Sequence, residues 1–173
     1  VRGALNLADV EKEITAKRNK DLVMCCGLIP LKRARDKDML ARYVFLQNFL
    51  KESKQFGAQR RASEEKAVEI ALSTLARACG FDDVTRLVWT AETELIKAHA
   101  DHFSPKEVED VALSLSVAED GAVSLVCTKG GKPLKAVPAK LKKNAYVLKL
   151  KDAEKNLKEQ YRRAKKMLEE MME

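Results

Sequence analysis

The sequence predicts an α+β protein, mainly α: a helical bundle, a three-stranded antiparallel meander and a long C-terminal helix. Three observations lead there. The chain has 173 residues, 46% hydrophobic and 34% charged, enough to bury a sizeable core. With only 7 Gly, 4 Pro and 5% aromatic residues, it lacks the turn markers and aromatic strand positions of a β-sandwich or barrel. Its apolar residues recur every three or four positions nearly throughout, but every second position between residues 111 and 127, which marks helices interrupted by strands. The expected organisation is a helical region over residues 1–103, a small β-meander over 104–138 and a basic helix over 139–173, together one compact module.

Asn6 suits the N-cap of a first helix reaching about Arg18, with Asp9 in its first turn and Leu5 placed to staple onto Val10. Asp21 is expected to open a short helical turn ended by Gly27, followed by an apolar connector of Leu28, Ile29 and Leu31 around Pro30. Asp36 is the next capping signal, ahead of Met39, Leu40, Tyr43, Val44, Leu46, Phe49 and Leu50, which form one broad apolar face. Gly57 is expected to break or kink this helix. Ser63 then caps a third long one, with Glu64 and Glu65 near the positive end of its dipole and Val68, Ala71, Leu72, Leu75 and Cys79 facing inward. Gly80 reads as a left-handed C-cap with Phe81 folding back, and Asp82 or Asp83 starts a further helix carrying Val84, Leu87, Val88, Ala91, Leu95 and Ala98. Trp89, beside that stripe, is expected to fill core or interface.

Ser104, Pro105 and Glu107 have capping-box spacing for one helical turn. Beyond them Val111, Leu113, Leu115 and Val117 alternate with small residues as in a half-buried strand. Asp120-Gly121 signals a hairpin, Val123, Leu125 and Cys127 alternate again, and Gly130-Gly131 turns the chain into a third strand near 134–137. From about Ala145 the helical period returns. Leu150, Ala153, Leu157, Tyr161, Ala164, Leu168 and Met171 make a narrow seam on an otherwise charged helix. Leu150, Leu157, Tyr161 and Leu168 are its candidate packing residues, suited to the protein's own core, to the remainder of a parent protein, or to a second copy in a homodimer. The start at Val1 rather than Met, and a helix still open at Met171, Met172 and Glu173, predict a fragment of something larger.

Charge is concentrated. Residues 129–166 hold 14 Lys and Arg against 3 Asp and Glu, whereas residues 1–128 hold 19 against 20, within a total net charge of +7. Lys132, Lys135, Lys140, Lys142, Lys143, Arg162 and Arg163 are therefore candidate contacts for nucleic-acid phosphates or for an acidic protein. Lysine stems lying along a solvated helix are the ordinary alternative, and Tyr146 and Tyr161, the segment's two aromatics, offer little for base stacking. The longest uncharged run, residues 22–31, falls far short of the roughly 20 apolar residues of a membrane span, so a soluble protein without membrane contact is expected.

Reactive constellations are not evident. The GGK at 130–132 lacks P-loop spacing and continues into Pro133. His99 and His102 flank Asp101 near a helix end without a third ligand at recognisable spacing. Cys25, Cys26, Cys79 and Cys127 form neither a CxxC pair nor a disulfide framework and read as reduced, mostly buried thiols of a cytoplasmic protein. The sequence thus assigns no catalytic residue, metal or cofactor.

The stretches FLKESKQFGAQRRASEEKAVEIAL, ARACGFDDVTRLVW, KGGKPLKAVPAKLKKNAYVLKLK and EQYRRAKKMLEEMM resemble an uncharacterised bacterial domain-of-unknown-function family met in molybdate-metabolism-regulator-like proteins, some with a WGR domain. The resemblance spans residues 28–172 and is weaker over 1–27. It implies a segment of a large, multi-part cytoplasmic protein and brings no catalytic residues with it. The reading that follows is a non-enzymatic structural or interaction module. The alternatives are a nucleic-acid-binding element using residues 129–166 and an enzyme whose site is unrecognised.

Overall fold

The computed structural model describes residues 6–172, and of Met171 the backbone alone; the expected Leu5 staple and Glu173 lie outside the described residues. The fold is α+β, mainly α, with a four-stranded rather than three-stranded antiparallel sheet. Contacts divide the chain into two compact units, residues 1–94 and 95–173.

The first unit is built on helices α1 (Leu7–Lys17), α2 (Lys20–Cys25), α3 (Arg35–Ser53) and α4 (Ala58–Cys79), and most of α5 (Val84–Lys97) belongs to it. Asn6 caps α1 as expected, its side chain accepting from the Ala8 N–H at 3.1 Å. Arg18 ends α1 in the left-handed region at φ 51°. For α2 the cap is Asn19 rather than Asp21; its side chain accepts from Asp21 and Leu22 N–H groups, and Asp21 instead lies in the first turn. Likewise α3 begins before Asp36, with Ala34 in the cap position and no side-chain cap.

Ser63 does not start α4 either. The helix already forms at Ala58, straight after Gly57, because the intervening Gln, Arg and Ala residues are good helix formers and nothing interrupts them. Ser63 Oγ accepts from Lys20 Nζ at 2.6 Å instead. Gly80 closes α4 with Phe81 N–H bonded back to the Ala76 carbonyl, and the Asp83 side chain accepts from Arg86 N–H at the start of α5. On α5, Leu87, Val88 and Ala91 face inward, while Ala98 lies beyond the helix and exposed, and Trp89 is 42% exposed rather than in the core.

Helix α2 approaches α4 closely because Gly27 follows it. A Cβ there would meet Thr74 Oγ1, the Ala71 carbonyl oxygen at 2.5 Å and the Leu75 nitrogen at 2.7 Å. Two of these are backbone atoms of a helix and cannot step aside.

The second unit holds strands β1 (Lys106–Val108), β2 (Val111–Val117), β3 (Val123–Lys129) and β4 (Lys132–Leu134), and helix α6 (Ala145–Met172). The expected helical turn at Ser104–Glu107 is absent. The chain there pairs with the start of β2, Glu107 opposite Ala112 and Val108 opposite Val111, since an unpaired β2 edge would leave backbone groups without partners. The last strand pairs earlier than expected, with Lys132 opposite Lys129 and Leu134 opposite Cys127. Short 3-10 turns at Ala100–Phe103 and Ala139–Leu141 flank the sheet. Asn144 caps α6, its side chain accepting from Tyr146 and Val147 N–H groups. The alternation holds up to Leu115, with Val117 51% exposed at the strand's end: Val111, Leu113, Leu115, Val123 and Cys127 are buried against Val147, Leu150, Ala153 and Leu157 of α6. Among the described residues no helix is long and apolar enough to cross a membrane.

Gly27→Ala should cost about 1–3 kcal/mol or more, because overpacking against rigid neighbours is not relieved by rotamer changes. Urea unfolding of the variant, followed by far-UV circular dichroism, reads this directly.

Candidate functional site

Helix α6 outruns the sheet it covers. Its buried stripe, Val147, Leu150, Ala153, Leu157 and Gln160, takes up about 20 Å at 1.5 Å per residue, matching the roughly 23 Å of a seven-residue strand. Residues 161–172 continue the helix for about 18 Å more. Tyr161 marks the point of departure. Its hydroxyl donates to the Asp120 carbonyl at 2.5 Å, and its ring lies over Gly121, where φ is +81° and an added Cβ would collide with the ring. Beyond it Ala164 and Met167 are half-buried and Leu168 is 48% exposed.

The predicted seam is thus divided among three environments. Leu150 and Leu157 belong to the core beneath the sheet, Tyr161 locks the β2–β3 hairpin, and Leu168 projects into solvent. Gln160, buried just before the departure point, has no hydrogen-bond partner for its Oε1.

The predicted cationic set is also heterogeneous. Lys140 pairs with Glu109 at 2.6 Å and Asp110 at 3.1 Å, and Lys129 joins Asp110 at 2.5 Å. Hydrogen bonds from Lys129 and Lys140 hold the Asp110 carboxyl down at about 2, and those to Glu109 and Asp110 raise the Lys140 ammonium. Glu109, at φ 57°, turns the β1–β2 connection so that both acids face these lysines. Lys132, Lys135, Lys142, Lys143 and Arg162 are exposed, and Arg163 is half-buried on the α6 flank.

Titratable clusters elsewhere have structural roles. Arg18 grips Glu64 through Nε at 3.1 Å and Nη2 at 2.7 Å, reaches Glu52 at 2.7 Å and stacks over Phe49, while Arg60 adds a 3.0 Å bond to Glu64. Burial alone would raise the Glu64 carboxyl, but hydrogen bonds from Arg18, Ser53 and Arg60 bring it down to about 2. Arg42, buried, binds Asp38 at 2.8 Å and donates to the carbonyls of Cys26, Ile29 and Pro30, so it ties the connector after α2 to α3. Burial acts to raise Asp38 too, and the Arg42 side chain with the Lys32 N–H outweighs it. Burial pushes the Cys26 thiol up to about 11, away from the thiolate form, and all four cysteines are free.

The rings of His99 and His102 lie 5.7 Å apart between centroids, tilted by 31°, and His99 Nδ1 is buried without a hydrogen-bond partner. Burial and the neighbouring His102 lower the His99 pKa against the pull of Asp152. Among the described residues no group of three or more His, Cys, Asp or Glu is placed to hold a metal ion. The sequence pattern missed Arg42 and the Arg18–Glu64 pair. Asp38 and Arg42, four apart beside Met39 and Tyr43, were the readable sign of the first; the second joins residues 46 apart and has none.

These features define an α+β protein of two units. The chain belongs to a family of unknown function (DUF5724), whose model matches residues 1–91. That match includes residues 1–27 and stops short of residues 92–172, unlike the resemblance drawn above. No curated protein and no solved structure shows significant similarity to the chain.

Glu64→Gln should cost about 3–5 kcal/mol at neutral pH, since it leaves Arg18 with a weakened buried partner. Because the folded carboxyl titrates near 2 and an ordinary one near 4.5, this contribution is fully present above 4.5 and lost as pH falls from 4.5 towards 2. Denaturation midpoints of wild type and variant should converge across that window.

Proposed function

We propose that the chain is a non-enzymatic interaction module, with residues 161–172 of α6 as its docking element. One observation carries this reading: the apolar stripe that packs under the sheet continues past Tyr161 onto a stretch of helix with nothing of the sheet left to cover, ending in the exposed Leu168. An isolated helix of this length is marginal in water, and a stripe kept apolar over it is suited to a partner surface. The resemblance to molybdate-metabolism-regulator-like proteins supports a setting within a large, multi-part bacterial cytoplasmic protein, whose remaining segments would then be among the surfaces available to it.

Amide hydrogen exchange over residues 161–172 tests the reading. Protection should rise at least about tenfold when the chain is part of its intact parent or at concentrations where it associates. Equal, fast exchange under all these conditions would refute a docking role.

A second reading, phosphate-backbone binding, draws on the exposure of Lys132, Lys135, Lys142, Lys143 and Arg162, and is weakened by the neutralisation of Lys129 and Lys140 by Glu109 and Asp110. It predicts an affinity for duplex DNA that falls steeply between about 50 and 200 mM salt and disappears in a Lys142→Glu, Lys143→Glu, Arg162→Glu triple variant. Fluorescence anisotropy with a labelled duplex showing no binding at low salt would eliminate it.

A further inference from the structure

We infer that residues 99–108 form an acid-released strap on the second unit: the neutral His99–His102 pair seats the Ala100–Phe103 turn and strand β1, and protonation of that pair frees both. The chain's two histidines come together on this turn, with ring centroids 5.7 Å apart. His102 lies 6.3 Å from the Tyr146 ring of α6, and Lys106 Nζ of β1 sits 4.6 Å from the centre of the same ring. Tyr146 is therefore a common support for turn and strand. None of these contacts involves residues 161–172, so the inference is independent of the docking role proposed for them.

The seat is suited to a neutral imidazole and not to its cation. His99 Nδ1 is buried without a hydrogen-bond partner. A neutral ring meets this at small cost by carrying its hydrogen on Nε2, which leaves Nδ1 a bare acceptor. An imidazolium carries hydrogen on both nitrogens, so Nδ1 becomes a charged donor facing no acceptor, out of reach of water. His102 adds repulsion whenever it is charged, and Lys106 opposes a second cation beside Tyr146. Asp152 of α6 acts the other way, while Asp101 on the turn itself is exposed. Burial and His102 outweigh Asp152, and the His99 pKa falls below the ordinary 6.5.

A histidine that binds its proton less tightly when seated than when free favours the seated form above its free pKa and loses that preference below it. The strap is thus held most firmly above pH 6.5 and loosens as pH falls below that value. Its other attachments are slight. Strand β1 is three residues long and pairs only with Val111–Leu113, and Phe103 and Val108 are only partly buried against the core of the sheet. Release uncovers both apolar side chains and leaves the outer edge of β2 without backbone partners.

Amide exchange of the whole chain at about pH 7.5 and 5.5, corrected for the intrinsic pH dependence of exchange, tests this. Protection of residues 99–108 should fall about three- to tenfold more than that of the buried stripe of α6. In the double variant His99→Phe, His102→Phe, which keeps two planar rings that cannot ionise, the difference should vanish, with circular dichroism verifying the fold. Wild type supplies an independent reading. With two histidines in the chain, NMR titration resolves both imidazoles, and His99 should titrate below 6.5 with its hydrogen on Nε2. Unchanged protection of the strap, an equal loss along the whole chain, a pH response retained in the double variant, or a His99 that titrates at or above 6.5 would each overturn the inference.

Discussion

A small antiparallel sheet with one apolar face needs that face covered, and in the second unit a single helix does so. Val111, Leu113, Leu115, Val123 and Cys127 are removed from water by Val147, Leu150, Ala153 and Leu157. At about 25 cal/mol per Å² of apolar surface, this is the dominant favourable contribution for a unit of this size, and four short strands alone would be marginal. The strand length fixes how much of α6 is needed to cover the sheet, and Tyr161, next after Gln160, holds the hairpin at its end. The Tyr161 ring over Gly121 makes the transition abrupt: the hairpin ends, the helix does not. Past that point the exposure of the stripe rises, from the half-buried Ala164 and Met167 to Leu168 at 48%.

The first unit meets a different constraint. Its helices are short or join through tight connections, and its interior contains ionised groups, Arg42 with Asp38 and Arg18 with Glu64, that apolar packing alone would exclude. Each guanidinium is bound by several acceptors at once, with backbone carbonyls completing the shell around Arg42 and Phe49 lying under Arg18. Buried pairs of this kind add little net stability compared with an apolar replacement, but they penalise any packing in which a partner is missing. They therefore select one arrangement of α1, α3 and α4 around the Gly27 approach.

How far the sequence revealed all this follows from the range of the interactions involved. Asn6, Gly80 and Asp83 act within a few residues of themselves, and their caps were legible. The period-two alternation from Val111 to Cys127 correctly identified which face of the sheet is buried. Asp36 and Ser63 misled because a cap-forming residue competes with helix propensity on its N-terminal side, and the residues before both are good helix formers. Ser104, Pro105 and Glu107 had the spacing of a helical start, yet β2 supplied a ladder of backbone partners that a local motif could not outweigh. The seam on α6 was visible as one continuous stripe. Its division at Tyr161 was not, because that depends on where a strand more than thirty residues earlier in the chain turns back.

The boundary of the family match bears on where function resides. The match ends at residue 91, close to the limit of the first unit at residue 94, so family membership describes the helical unit with its buried ion pairs. The sheet, the neutralised Lys140 corner and the projecting end of α6 all lie outside it. Structural requirements account for the buried ion pairs of the matched unit: Arg18, Arg42, Asp38 and Glu64 are all engaged in holding it together. In the other unit the charged groups near the end of α6 pair within their own helix, Lys165 with Glu169 at 4.0 Å and Lys166 with Glu170 at 3.4 Å, and because both pairs are exposed neither one fixes how the sheet is packed.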